Sequence, residues 1–285
     1  MSRIAYVNGH YVAHRDGLVQ IDDRGYQFAD GIYEVCLVIA GQYWDMDGHL
    51  DRMERSLREL SMDEPMGRAS LRMVMAEVVR RNQLRDALVY IQVTRGVAPR
   101  NHPFPNTTTR PALIMTAKRF DLDGSDAQAE RGVKVITHPD IRWGRVDIKT
   151  VSLLPNVLAK QAAVEAAAVE AWLMRDGKVT EGSSSNAWIV DSDGALITHP
   201  KSNEILGGIT RETALACARE LQITVHERPF SVEEAKAARE AFITSATSLV
   251  MPVTMVDDCV IGAGTPGPVA LRLREAYKMR AREGR

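Results

Sequence analysis

Cysteine is scarce in this chain: among 285 residues only Cys36, Cys217 and Cys259 occur, odd in number and far apart. None forms a CxxC spacing, which excludes a zinc-ribbon motif, a dithiol redox motif and a disulfide framework; all three are expected to be buried small hydrophobes in a reducing compartment. Long apolar runs are missing too, and none approaches the ~18 residues of a membrane span. The opening "MSRIAYVNGHYV" has no basic segment followed by an apolar run, so a cytoplasmic protein with no membrane partner is expected. Neither sign of charge is in excess, with 36 Lys+Arg against 37 Asp+Glu and a net charge of -1. That balance gives no electrostatic footprint for nucleic acid. Aromatic residues make up 6% and do not interleave the small basic clusters at Arg80-Arg81 and 278–285, which read as solvated faces.

What is present describes a globular protein: 45% hydrophobic and 26% charged residues, over a length that suits two modest domains or one large α/β domain. "IAYVNGHYVA" alternates around Asn8-Gly9, a strong hairpin signal. "IYEVCLVIAGQYWDMDGHLDRMERSLREL" reads as a β-rich run, a turn at Gly41, a short strand and a helix from His49 with Leu50, Met53, Leu57 and Leu60 on one face. "RASLRMVMAEVVRRNQL" is a second amphipathic helix, followed by strands in "ALVYIQVTRG" and "PALIMTAK". Residues 119–130, "RFDLDGSDAQAE", are acidic, small and without apolar period, and are expected to link a smaller N-terminal domain, 1–118, to a larger C-terminal one, 131–285. There the pattern predicts a strand at "GVKVITH", an alanine-rich helix ending near Glu170, hairpins turning at Asp176-Gly177 and Asp193-Gly194, and a helix in "TRETALACARELQI" with Thr210 as N-cap. The fold class is therefore mixed α/β (α+β) in two domains. No GxGxxG follows a strand, so the pattern does not argue for a Rossmann sheet.

The chemistry-bearing candidates lie in short polar stretches. "DIKTVSLLPNVLAK" holds Lys149, placed by the pattern at a strand-to-helix junction, and Lys160, placed inside the helix. A lysine attacks carbonyls only if its surroundings lower its pKa or a cofactor captures it. Locally, both also read as ordinary structural residues. Glu181 ends a strand before a glycine and three serines, where a carboxylate could hold a pyridine nitrogen protonated; a solvated hairpin glutamate is the plain alternative. "ILGGITRETAL" sets two glycines before Ile209 and Thr210 at a helix start, a recipe for binding phosphate and equally for a tight turn. "FITSATS" adds Ser245, Ala246 and Thr247 after a strand. His49 and Arg52 share a helix face, where Arg52 could clamp a charged group. Arg100 and His102, two apart in a proline-rich loop, point the same way in extended chain and could trap a carboxylate.

Taken together and in this order, "DRGYQFADGIYEV", "HLDRMERS", "TRGVAPRNH", "DIKTVSLLPNVLAKQ", "VTEGSSSN", "ILGGITRE" and "FITSATS" span residues 22 to 248, and the chain resembles the class IV (fold type IV) pyridoxal-phosphate aminotransferases. Within them it is most similar to the D-amino-acid aminotransferase branch. The resemblance implies pyridoxal 5'-phosphate in a cleft between two domains and a homodimer whose active site is completed across the interface. It also implies ping-pong transfer of an amino group from a D-amino acid such as D-alanine to a 2-oxo acid such as 2-oxoglutarate. It matches Lys149 to the Schiff-base lysine and Glu181 to the partner of the pyridine nitrogen. Arg52, Ile209, Thr210, Ser245 and Ala246 match cofactor-binding positions, Tyr33 an active-site tyrosine, and Arg100 with His102 the carboxylate trap, while Lys160 matches none. A branched-chain L-amino-acid aminotransferase and an aminodeoxychorismate lyase share this cofactor site and are the alternatives. Two departures stand out: Ala246 replaces a usual phosphate-binding hydroxyl, and Ala29 replaces a usual glycine in the loop leading to Tyr33.

Overall fold

The computed structural model of the chain describes residues 3–105 and 109–283. Two compact units emerge, one made of residues 1–120 and 148–152, the other of 121–147 and 153–285. The first contains β1 (Ile4–Val7), β2 (His10–Ala13), α1 (Arg24–Phe28), β3 (Gly31–Ile39), β4 (Gln42–Tyr43), α2 (Met46–Glu59), α3 (Arg68–Arg81), β5 (Ala87–Thr94) and β6 (Ala112–Arg119). Its strands form one antiparallel sheet in the order β2-β1-β6-β5-β3-β4. Asn8 at φ 47° and Gly9 at φ 97° make the tight β1–β2 turn that the Asn-Gly pair predicts. Against the sheet, α2 buries Leu50, Met53 and Leu57 at helical spacing together with Ile32, Cys36 and Val38 of β3. Each such side chain contributes about 1.5–3 kcal/mol of burial. The neighbouring stripe of α2, His49, Arg52 and Ser56, is buried as well but polar, so it must find partners inside.

The second unit contains α4 (Leu122–Arg131), β7 (Val133–Pro139), α5 (Leu154–Glu165), β8 (Glu170–Arg175), β9 (Lys178–Gly182), β10 (Asn186–Val190), β11 (Leu196–Thr198), α6 (Ile209–Glu220), β12 (Val225–Glu227), β13 (Phe230–Ser231), α7 (Val232–Lys236), β14 (Glu240–Ser245), β15 (Leu249–Val256), β16 (Cys259–Val260) and α8 (Pro268–Arg282). Its sheet runs β12-β11-β10-β14-β15-β7-β8-β9-β13, with β16 beside β15. Parallel pairs β15–β7, β7–β8 and β11–β12 interrupt an otherwise antiparallel arrangement. The mixed α/β class is thus realised as two sheets, one in each unit.

Several local expectations change. The stretch 119–130 is no irregular linker: it is the end of β6 and most of α4. Asp121 accepts from Gly124 N at 3.0 Å, and Asp126 is held by Arg274 at 2.8 Å and Lys278 at 2.9 Å from α8. These distant partners, invisible in the local pattern, support a helix of weak apolar period. The alanine-rich helix ends at Glu165, and Glu170 opens β8. Gly208, rather than Thr210, is the N-cap of α6. Cys36 and Cys217 are buried as expected, but Cys259 is only half-buried.

Candidate active site

Lys149 is separated from the strand expected just before it, since β7 ends at Pro139 and residues 140–153 carry no regular element. The segment 148–152 belongs to the first unit instead. Thr150 forms an antiparallel bridge with Ile32, and the Tyr33 and Val151 N-H groups donate to Lys149 O and Gly31 O, each at 3.0 Å. Lys149 is therefore pinned alongside β3 by its own backbone. Its Nζ stands 4.2 Å from the centre of the Tyr33 ring, within cation-π range. Tyr33 in turn leans on Tyr90 of β5 at 5.7 Å.

Arg52 has a buried ion partner that the sequence pattern does not reveal. Glu34 of β3 is fully enclosed; its Oε1 accepts from Arg52 Nε at 2.7 Å, its Oε2 from Arg52 Nη2 at 2.8 Å, and His49 Nδ1 lies 2.8 Å from the same Oε2. Burial alone would raise the Glu34 pKa, but the Arg52 charge and the hydrogen bonds of Arg52 and His49 hold it far below the usual carboxylate range. His49 and Arg52 do share a face, and Glu34 orients both.

Arg100 and His102 lie in the exposed loop after β5, side by side on one ring. The Arg100 guanidinium is 4.9 Å and the His102 ring 5.4 Å from the centre of Phe28.

In the second unit, Glu181 lies near the end of β9 with both carboxylate oxygens accepting hydrogen bonds. Asn186 Nδ2 donates to its Oε2 at 2.9 Å, Leu206 N to both oxygens at 3.1 Å, and Arg142 Nη1 to its Oε1. Arg142 is itself gripped by Asp140, through its Nε at 2.9 Å and its Nη2 at 2.8 Å. Burial would lower the Arg142 pKa, but the Asp140 and Glu181 carboxylates raise it above its ordinary value. Asn186 also donates to Leu206 O at 2.9 Å, so one amide ties Glu181 to the loop that starts α6. At Gly208 an added Cβ would fall 2.0 Å from Asn186 Oδ1. Only glycine lets that loop approach. Beyond it the N-H groups of Ile209 and Thr210 open α6 and have no partner one turn earlier within the helix. Near the end of β14, Ser245 Oγ accepts from Ser248 N at 3.0 Å and meets Thr247 Oγ1 at 3.1 Å, so the hydroxyls flanking Ala246 close a tight turn.

Comparison with known proteins decides the family. Residues 31–256 match the amino-transferase class IV family. The chain belongs to the class IV aminotransferases. It is 41% identical to a D-alanine aminotransferase of Bacillus licheniformis over 95% of this chain and 94% of that one. A D-alanine aminotransferase of Staphylococcus aureus (strain N315) is 40% identical over 96% of both chains. Among solved structures, a T.th. branched-chain amino acid aminotransferase with pyridoxamine 5'-phosphate superposes at a TM-score of 0.89, with 27% identity over 100% of this chain and 96% of that chain.

Three residues that hold the candidate residues in place, Glu34, Arg142 and Asn186, are not among those drawn from the sequence. Glu34 had a signal: it is the one charged residue inside the apolar run "GIYEVCLVI", and a carboxylate there must be buried and paired. Arg142 and Asn186 had none, because their partners are fixed by the fold and not by a local pattern. The aminotransferase's Ala29 sits at φ 56°, the left-handed C-cap of α1, a conformation that explains why glycine suits the position.

Proposed function

We propose that this aminotransferase moves the amino group of a D-amino acid such as D-alanine to a 2-oxo acid such as 2-oxoglutarate, using pyridoxal 5'-phosphate. The observation that carries the reading is the Lys149–Tyr33 pair, with Nζ 4.2 Å from the ring centre, in a chain about 40% identical to D-alanine aminotransferases along nearly its whole length. The residues fit the cofactor. The opening turn of α6, with Ile209 and Thr210, offers N-H donors and a positive dipole end for a phosphate, and Ser245 and Ala246 are assigned to the same phosphate by the family resemblance alone. Arg52, held by Glu34, adds a fixed cation. Glu181 presents a buried carboxylate with one fixed orientation for a ring nitrogen. When bound, pyridoxal phosphate supplies the carbonyl carbon that carries the amino group and a protonated ring that accepts an electron pair.

The protein's own groups do the rest. Lys149 holds the cofactor between turnovers, and its Nζ takes the substrate α-proton and returns it, as general base and then acid. Glu181 keeps a proton at the ring nitrogen. Arg100 and His102 grip the substrate carboxylate so that the α-hydrogen of the D enantiomer faces Lys149. Among the described residues no helix is long and apolar enough to cross a membrane. We further propose a cytoplasmic homodimer in which one protomer's Arg100 and His102 serve its partner's site; sedimentation checks its mass.

The deciding assay offers D-alanine and L-leucine separately with 2-oxoglutarate. Turnover of D-alanine alone supports the reading. Turnover of L-leucine alone would replace it with the branched-chain alternative.

A further inference from the structure

The loop that carries Arg100 and His102 is exposed and without regular structure, so something must fix its direction. Arg24 does so through the backbone: its Nη1 donates to Asn101 O at 2.6 Å and its Nη2 to His102 O at 3.2 Å. These two carbonyls belong to the residues immediately after Arg100, so the clamp holds the chain between and beneath the two trap side chains. Arg24 is itself immobilised, with a side chain 4% exposed and its Nε on Asp30 Oδ2 at 2.8 Å. Arg95 Nε shares that oxygen at 2.8 Å and spends its other donors on Ser61 O at 3.0 Å and Leu60 O at 2.8 Å, at the end of α2.

The short helix α1 contributes a second contact four residues on. Phe28 receives Arg100 at 4.9 Å, His102 at 5.4 Å and Arg24 at 4.8 Å from its ring centre. One aromatic ring thus sets the separation and tilt of both trap groups. The helix is itself tightly seated: Arg24 N donates to Gly96 O at 2.9 Å, Asp23 bridges Val97, and an added Cβ at Gly25 would lie 2.2 Å from Thr94 Cγ2.

We propose that α1 is the positioning element of the carboxylate trap, with Arg24 fixing the loop backbone and Phe28 supplying the surface that aims Arg100 and His102. The inference rests on the reading that Arg100 and His102 hold the substrate carboxylate. Arg24 and Phe28 touch neither cofactor nor substrate in this scheme; they act on the trap alone.

The test is steady-state kinetics of the holoenzyme with D-alanine and saturating 2-oxoglutarate, for Arg24→Met, Phe28→Leu, Phe28→Tyr, Arg100→Ala and the double variant Arg24→Met/Arg100→Ala. Arg24→Met should raise KM for D-alanine on the order of tenfold to a hundredfold, the range for losing a charged hydrogen bond, with kcat and the visible absorbance of the cofactor little changed. Phe28→Leu should raise KM while Phe28→Tyr, which keeps the ring, restores it. In the Arg100→Ala background the Arg24 substitution should raise KM by a smaller factor than in the parent enzyme, because the part of its effect that runs through Arg100 is already lost and only the part through His102 remains. Equal penalties in both backgrounds, or a fall in kcat with KM unmoved, would overturn the positioning role while leaving the trap intact. An Arg100→Ala enzyme with unchanged KM would remove the trap itself, and the inference with it. Should Arg24→Met fail to fold, the Phe28 pair carries the same comparison, since both variants leave the clamp and its ion pair in place.

Discussion

Tyr33 and Lys149 are locked together twice: the Tyr33 amide donates to the Lys149 carbonyl at 3.0 Å, and the Lys149 Nζ stands 4.2 Å from the centre of the Tyr33 ring. The first contact fixes where the lysine leaves the chain, and the second fixes where its amine ends. An amine held at both ends loses little freedom on reaching a target, the condition for efficient proton transfer. Removing the amine in Lys149→Ala should lower turnover by at least about 10²–10⁴-fold and abolish the visible absorbance that borohydride bleaches. Tyr33→Leu keeps the backbone contact, so the absorbance should survive while kcat falls.

Glu181→Gln should cut turnover by about 10²-fold or more, the lower end of what a positioned acid or base contributes, and shift the cofactor's absorbance. An amide still satisfies part of the Asn186 and Leu206 network but cannot carry the charge that keeps a ring nitrogen protonated. Arg142 retains Asp140, so the variant should fold, and a lowered melting temperature with reduced kcat is the expected pair of results.

Stability should decline in acid. Asp140, whose burial pushes its pKa up, is brought below its ordinary value by the hydrogen bonds and charge of Arg142, and Asp30 likewise by Arg95 and Arg24; Glu34 is depressed further by Arg52 and His49. For a depressed carboxylate the stabilisation is complete above its unfolded pKa, 4.5 for Glu34, and is lost as pH falls from there towards the folded value. Urea midpoints at pH 7 and pH 4 should therefore differ, and Glu34→Gln should be less stable at pH 7 and show a smaller difference. A wild-type midpoint that does not move between those pH values would exclude this account.

Ala29→Gly should stabilise the protein by up to about 1 kcal/mol, because the left-handed conformation at φ 56° strains any side chain with a Cβ. Thermal melting should rise by about 1–4 °C. Activity should hold, since the Ala29 and Gly31 backbone bonds remain.

Lys160 reads from the sequence as a solvated helix residue. The structure gives it a structural role: its Nζ donates to Val169 O at 2.5 Å and lies 3.6 Å from Glu170, with 43% of its side chain exposed. Glu170 keeps Ser184 and Ser185 as donors at 2.8 and 3.0 Å without it. Lys160→Ala should accordingly cost less than about 1 kcal/mol and leave turnover within about twofold.

The division of labour between sequence and structure follows the range of the forces involved. Turns at Asn8-Gly9 and Asp176-Gly177 were legible because positive φ is a local demand that few residue types meet. The buried stripe of α2 was legible because helical period shows which residues share a face. The order of the polar stretches was enough to indicate the family. The helix at 122–131 was not legible, since Arg274 and Lys278 stabilise it from about 150 residues away. Nor was the locking of Glu181 by Arg142, the burial of Arg52 against Glu34, or the grip of Arg24 on the backbone of Asn101 and His102. Each joins polar groups from separate elements, and a buried charge finds its partner through three-dimensional proximity, which only the folded chain decides.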